Sequence, residues 1–267
     1  MNKKISVMVS GLPGKMATMV AEAVKEQNDM KLLGHALAEA DGKSRISRQS
    51  VTLVPLADHK QTIRGLAPDI IVDFTAPNAV NRNAELYCEC GVPFIMGTTG
   101  GDREKLMETV KRFSIPAVIS TNMAVPIVVL MEMMRFAAQK FPNSLEGYLL
   151  SVRESHQQTK KDKSGTAKTM ILYFNALGIP FTEDQIFSER DPKAQKKDWH
   201  VPVQHLSGHG YHAYELLSPD GSTLIQIVHN VDGRNIYLSG VIRSVRFLAR
   251  QERDIGKVFS MADVLRG

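Results

Sequence analysis

Between Glu154 and Thr166 the chain reads Glu-Ser-His-Gln-Gln-Thr-Lys-Lys-Asp-Lys-Ser-Gly-Thr, its most polar and chemically dense stretch. It holds an imidazole (His156), three ammonium groups (Lys160, Lys161, Lys163), a carboxylate (Asp162) and a Ser-Gly-Thr turn. An imidazole titrates near neutrality and can donate a proton or stabilise charge. Lys160, four residues on, can serve as a point charge or proton donor. Ser164, Gly165 and Thr166 open a predicted helix that runs to about Leu177. Backbone N–H groups and two hydroxyls at a helix start suit a carboxylate. The bland alternative is a solvated, lysine-rich loop. Lys161 and Lys163 keep that reading, as charges that draw in an anionic substrate.

A second constellation stands at the N-terminal end. Ile5–Ser10 reads as a buried strand, Gly11-Leu-Pro-Gly14-Lys15-Met16 as a turn, and Met16–Gln27 as a helix. Strand, glycine turn and helix form the opening of a dinucleotide-binding βαβ unit. Glycines let the backbone approach a pyrophosphate, and the helix start supplies N–H groups and a positive dipole end. Pro13 and Ala17 stand where a G-x-G-x-x-G pattern has glycine. A second strand over 31–38 leads to Glu39, placed to accept from an adenosine ribose, while Lys43, Arg45 and Arg48 are placed to pair with a 2′-phosphate. Leu66–Thr75 and Val92–Gly97 read as further strands, the second running into Gly97-Thr98-Thr99-Gly100. A helix over 78–90 separates them. The helix Asp102–Phe113 and the strand 117–120 follow, then Ser120-Thr-Asn122-Met123. Repeated β–α alternation predicts a doubly wound parallel sheet, with ligands at its strand ends.

The pattern changes after residue 126. Ile127–Phe141 reads as a methionine-rich core helix. Strand-like runs then crowd together at Tyr148–Arg153, His212–Leu217, Thr223–His229 and Asn235–Gly240. The segment 179–209 reads as a surface excursion, with no role for Trp199, and the chain turns helical from Val241. The expected organisation is a dinucleotide-binding domain of residues 1–126 plus 241–267. Residues 127–240 form an α+β substrate domain on a mixed open sheet.

Composition narrows the classes. The 267 residues are 43% hydrophobic and 23% charged, so a sizeable core is available and disorder is not indicated. A net charge of +5 suits small anions, and the lysines lack the interleaved aromatics of a nucleic-acid groove. Cys88 and Cys90 are too few for a disulfide framework or a structural zinc site, and no metal is expected. No apolar run approaches the roughly eighteen residues of a membrane span. Gly11 interrupts the first apolar run too early for a signal peptide. The expected setting is the cytoplasm, or the plastid stroma for a plant chain without its transit peptide.

Together these motifs resemble the 4-hydroxy-tetrahydrodipicolinate (dihydrodipicolinate) reductase family over nearly the whole chain. The carriers are Gly11-x-x-Gly14-Lys15-Met16, Asp73-Phe74-Thr75, Gly97-Thr98-Thr99-Gly100, Ser120-Thr-Asn122-Met123 and Glu154-Ser-His156-Gln157-x-x-Lys160-x-Asp162-x-Ser164-Gly165-Thr166-Ala167. Ser-His-Gln, Arg190-Asp-Pro and His205-Leu-Ser-Gly-His209 look more like the plant-type branch. The resemblance implies a Rossmann-like first domain that binds NADPH or NADH and an enzyme that reduces a cyclic dicarboxylate in lysine biosynthesis. It implies Lys160 as proton donor, His156 as its partner, and Gln157, Ser164, Gly165 and Thr166 as carboxylate contacts. The cofactor would be held by Gly11, Gly14, Lys15, Met16, Glu39, Phe74, Thr75, Gly97, Thr98, Thr99, Ser120, Asn122, Met123 and Arg234. It further implies a homotetramer built through the second domain's sheet. Ala76 replaces a frequent arginine, and Gln157 and Thr159 replace histidines of the common bacterial loop. Two competing readings are a non-catalytic nucleotide sensor of the same fold and a dehydrogenase for another small anion.

Overall fold

The computed structural model describes residues 3–39, 42–46, 49–252 and 255–267, without the side chains of Arg45 and Gln49. The chain divides into two compact units, Met1–Val125 with Tyr237–Gly267, and Pro126–Ile236.

The first unit grows from β1 (Ile5–Ser10), whose last four residues are all buried, followed by α1 (Lys15–Lys25). Apolar residues recur along α1 at helical spacing and bury Ala17, Val20, Ala21, Ala23 and Val24. Each such buried valine contributes roughly 1.5–3 kcal/mol. The second predicted strand divides around Gly34 into β2 (Met30–Leu32) and β3 (His35–Leu37), both parallel to β1. Next come β4 (Gly42–Ile46), β5 (Gln49–Val54) and α2 (His59–Leu66). Then follow β6 (Ile70–Asp73), α3 (Val80–Glu89), β7 (Phe94–Met96), α4 (Arg103–Phe113) and β8 (Ala117–Ile119). Strands β6 and β7 are buried on both faces and read as unbroken apolar runs, as parallel strands covered by helices do. The strand order around the centre is β8-β7-β6-β1-β3-β5, all parallel, with β4 antiparallel at one edge. This is the expected Rossmann-like arrangement.

The second unit opens with α5 (Val125–Lys140), followed by β9 (Leu149–His156) and α6 (Gly165–Ala176). It continues through β10 (Phe187–Glu189), α7 (Pro192–Lys197), β11 (His209–Leu217) and β12 (Leu224–Asp232). Its sheet has the order β10-β9-β11-β12 and is mixed, because β10 runs parallel to β9 while β11 is antiparallel to both neighbours. Phe174 and Tyr214 are fully buried in its core, with Met170 and Ile171 beside them. The segment 179–209 is therefore more than a surface excursion, since it contributes β10 and α7, and Trp199 lies under the Arg153 guanidinium at 5.2 Å.

The strand expected over Asn235–Gly240 is instead a turn of 3₁₀ helix and the start of α8 (Leu238–Leu248). The consecutive Ile236, Tyr237 and Leu238, types that favour strands, mimic one there. The longer pattern Val241, Val245, Leu248 has helical period and is buried. Gly240 is required, because a Cβ there would stand 2.0 Å from the Met123 carbonyl oxygen. β13 (Val258–Phe259) joins the edge of the first sheet beside β8, and α9 (Met261–Arg266) ends the chain.

Candidate active site

In the first unit a cavity of about 360 Å³ opens at the C-terminal ends of β1, β3 and β6. Gly11, Gly14, Glu39, Phe74 and Thr75 line it, as do Ala38, His59, Ala76, Arg82 and Asn83. Gly11 has φ of +106°, and a Cβ on it would stand 2.2 Å from the Phe74 carbonyl oxygen. The turn therefore brings two strand ends within backbone contact, which only glycine permits. Gly14 precedes α1 without a side-chain cap, and the first turn carries no acidic residue. The helix start keeps N–H groups and a positive dipole end for an anion. These features fit a dinucleotide's phosphates.

Behind the cavity sits Asp73, fully buried at the end of β6. One carboxylate oxygen accepts from the Thr75 N–H at 3.0 Å, the Thr75 hydroxyl at 2.7 Å and the Thr98 hydroxyl at 2.9 Å. The other accepts from Asn83 Nδ2 at 2.9 Å and the Tyr87 hydroxyl at 2.7 Å. Five donors satisfy the buried carboxylate and tie the ends of β6 and β7 to α3. Burial, then the charge of Asp73, raises the Tyr87 phenol well above its ordinary range, so it stays a donor. The Phe74 ring covers Gly97, where a Cβ would meet it at 2.3 Å.

The remaining cofactor candidates are spread more widely. Lys15 and Met16 lie on the first turn of α1, and Thr99 follows Thr98 after β7. Ser120 donates to the Asn122 carbonyl, Asn122 Oδ1 accepts from the Ala124 N–H, and Met123 lies against Gly240. None of these is among the cavity-lining residues, and neither is Lys43. Arg234 belongs to the second unit, beside Gly208. The side chain of Arg45 and all of Arg48 lie outside the described residues.

In the second unit the polar loop is anchored from below by Glu154, which is fully buried on β9. Its Oε1 accepts from Arg190 at 2.5 Å and the Ser188 hydroxyl at 3.0 Å, and its Oε2 accepts from the Ser164 N–H at 2.9 Å. Burial alone would raise this carboxyl, but Arg190 and the Ser164 N–H outweigh it and hold it below the usual range. Arg190 also donates to the Lys160 carbonyl at 3.0 Å and the Asp162 carbonyl at 3.4 Å. Gln195, fully buried, donates to the His156 carbonyl at 2.7 Å. The loop that carries Lys160 is thus pinned on two sides by side chains from 188–195.

Three expectations change here. His156 does not titrate near neutrality: burial takes it down to about 4, against the opposing pull of Glu154. Its Nδ1 faces the His209 carbonyl at 3.1 Å and its Nε2 points inward. Lys163 is not a solvated charge, since it donates to the Ile186 carbonyl. The Ser164 N–H is occupied by Glu154, and the Ser164 hydroxyl makes no helix-cap bond. Lys160 and Gln157 are half-buried, and the Gln157 carbonyl accepts from the Lys160 N–H at 2.9 Å.

The sequence motifs gave no separate role to Asp73, Asn83, Glu154, Arg190 or His212. Both acids stood inside quoted motifs; Asp73 could have been found as an acid between apolar strand residues, whereas Glu154, between Arg153 and Ser155, carries no such signal. Arg190 and His212 reach the loop only through the pairing of β10 and β11 with β9.

A parallel nucleotide-binding sheet, followed by a mixed-sheet unit with a histidine–lysine loop at a helix start, defines a two-unit dehydrogenase. Residues 5–123 match the family profile "Dihydrodipicolinate reductase, N-terminus" and residues 126–265 match "Dihydrodipicolinate reductase, C-terminus". The chain belongs to the dihydrodipicolinate reductase family. It is 42% identical to 4-hydroxy-tetrahydrodipicolinate reductase 1, chloroplastic, of Arabidopsis thaliana, over 98% of this chain and 78% of that one. A 4-hydroxy-tetrahydrodipicolinate reductase of Methanothermobacter thermautotrophicus is 29% identical over 98% of each chain. The fold matches a dipicolinate-bound dihydrodipicolinate reductase from Paenisporosarcina sp. TG-14 with a TM-score of 0.68, at 20% identity over 96% of this chain and 97% of that one. Family and fold are those of an NAD(P)H-dependent oxidoreductase of lysine and diaminopimelate biosynthesis, and neither a sensor nor another dehydrogenase is favoured.

Proposed function

We propose that this chain reduces 4-hydroxy-tetrahydrodipicolinate with the loop Glu154–Thr166 as its substrate site and the cavity beside Gly11 as its cofactor site. The observation that carries the assignment is the loop itself: His156 and Lys160 precede a helix N-terminus, and a buried Arg190–Glu154 pair holds them in place. Gly11, Gly14 and the α1 N-terminus would hold the pyrophosphate, Glu39 the ribose, and Phe74, Thr75 and Thr98 the strand-end side of the nicotinamide cofactor. NADPH or NADH, when bound, supplies the hydride. The substrate loses its 4-hydroxyl with a ring proton as water, which leaves a conjugated ring; the hydride would go to C4 of that ring, and Lys160 gives a proton to the neighbouring ring carbon. His156, neutral at pH 7, keeps its proton on Nδ1 and lines the substrate site beside Lys160 with its half-buried ring. The Ser164 hydroxyl and the Gly165 and Thr166 N–H groups, with Gln157, bind the substrate carboxylates.

The test is Lys160→Ala. Turnover should fall by roughly 10²–10⁴-fold, the usual worth of a positioned general acid. Binding of NADH and NADPH, read by fluorescence titration, should be unchanged. Undiminished turnover on authentic substrate would remove Lys160 from its role.

Assembly as a homotetramer through the sheet of the second unit is supported by its last strand, where Leu224, Ile225 and Val228 are exposed. Among the described residues no helix is long and apolar enough to cross a membrane. The plant relative named above is a chloroplastic enzyme by its name. A plastid stroma or a bacterial-type cytoplasm both suit the proposed reaction.

A further inference from the structure

Among the described residues, Glu154, His156 and His212 each offer one ligand atom, all within 4.8 Å of one another. The sheet dictates this. Glu154 and His156 are two apart on β9 and share a face, and the β9–β11 register sets His212 opposite Glu154. His156 Nε2 and His212 Nε2 each lie 3.9 Å from Glu154 Oε2. Both nitrogens are buried without a hydrogen-bond partner, and His212, 3% exposed, has neither ring nitrogen satisfied. Buried polar atoms in that state call for an ion or a water.

The surrounding bonds prepare the three atoms for a cation. His156 donates from Nδ1 to the His209 carbonyl, which leaves the lone pair on Nε2. Carbonyl-backed histidines of this kind are the usual metal ligands. Arg190 and Ser188 occupy Oε1 of Glu154, while Oε2 has the Ser164 N–H and room for one more contact. We propose that Glu154, His156 and His212 bind a divalent cation of the Zn²⁺ class. Two imidazoles and a carboxylate are a zinc donor set that keeps the fourth position open. With metal–ligand distances of about 2.1 Å, neighbouring tetrahedral ligands stand ~3.4 Å apart, so each Glu–His pair must close by about half an ångström and the two imidazole nitrogens by at most about 1.4 Å, within reach of side-chain rotation. The Arg190 guanidinium on the other oxygen opposes a second cation and makes the site a reversible one. Occupancy withdraws His156 from the substrate. That inhibitory consequence rests on the catalytic assignment above; the site itself does not.

The full chain, free of nucleotide, is titrated with Co²⁺. Four-coordinate visible bands should appear in the wild type and in His229→Gln. His212→Gln should weaken binding at least tenfold. Zinc-edge X-ray absorption on the wild type gives a readout independent of how that variant folds: two imidazoles and one oxygen-donor carboxylate are expected. Absent bands, undiminished affinity in folded His212→Gln, or sulfur ligation by Cys88 or Cys90 would overturn the site. Zn²⁺ should also inhibit turnover, reversibly with a chelator. Binding through two histidines with full turnover would overturn the inhibition and the role of His156, which separates that failure from a failure of the site.

Discussion

Asp73 and Glu154 do the same work in the two units. Each is a fully buried carboxylate saturated by donors, and each fixes the residues around it. Replacing Asp73 by Asn puts an NH₂ group against the Asn83 and Tyr87 donors or the threonine donors. Each buried group left unpaired costs about 1–3 kcal/mol. The expected outcome is a lower thermal midpoint and a raised KM for the cofactor, with KM for the substrate unchanged. Steady-state kinetics with each substrate varied in turn would show it. In the second unit, Arg190→Met leaves the charge of Glu154 buried and frees the Lys160 carbonyl. We expect kcat to fall at least tenfold and thermal stability to drop by about 3–5 kcal/mol, the range for breaking a buried pair. Retention of both values would show that the loop is held by something else. His156, Lys160 and Ser164 were legible in the sequence because their types suffice to suggest acid–base and anion chemistry. Whether their protons are available was not, since burial beneath His209 and His212 is a property of the folded sheet.

The β1–α1 turn is where an element boundary carries function. Gly11→Ala meets both a positive φ and the Phe74 carbonyl, so the turn must open or the strand ends must part. Nucleotide affinity should fall at least tenfold while the second unit's spectroscopic signature persists; an unaltered affinity by calorimetry would refute the close approach. Around the centre of the first unit β1, β6, β7 and β8 with α1, α3 and α4 were readable, because the strands there are mostly apolar and several are bounded by glycine or proline; β4, β5 and α2 gave no such signal and were missed. The polar stretch 179–209 was not. Its strand β10 has three residues, and only pairing with β9 makes it one. Asn235–Gly240 misled for the opposite reason. Its run Ile236-Tyr237-Leu238 was strand-like in composition, but the decisive contact, Gly240 under Met123, joins residues distant in sequence.

At the scale of the molecule, buried histidines set a pH dependence. Burial holds His229 down to about 4, against 6.5 when exposed, and His156 and His212 are lowered too. Between those values the unfolded chain binds more protons than the folded one, so stability is full above pH 6.5 and is lost as pH falls toward 4. Each such group contributes a slope of at most about 1.4 kcal/mol per pH unit. Urea midpoints measured from pH 7 to 4.5 should fall, and His229→Gln should flatten the curve. For the proposed tetramer, Val228→Lys on the exposed strand β12 should shift sedimentation to smaller species; an unchanged coefficient would remove that strand from the proposed interface. One further consequence follows from the first unit being built of two chain segments, with Tyr237–Gly267 closing what the first 125 residues begin. A ribosome delivers every residue that lines the first unit's cavity by Asn83 but α8, which covers the sheet beside Met123, only after more than 150 further residues. The polar loop and its sheet are made entirely in between. The nascent chain can therefore complete its substrate unit before its cofactor unit, and loss of the last few dozen codons would disable nucleotide binding without touching a single residue that lines the cavity.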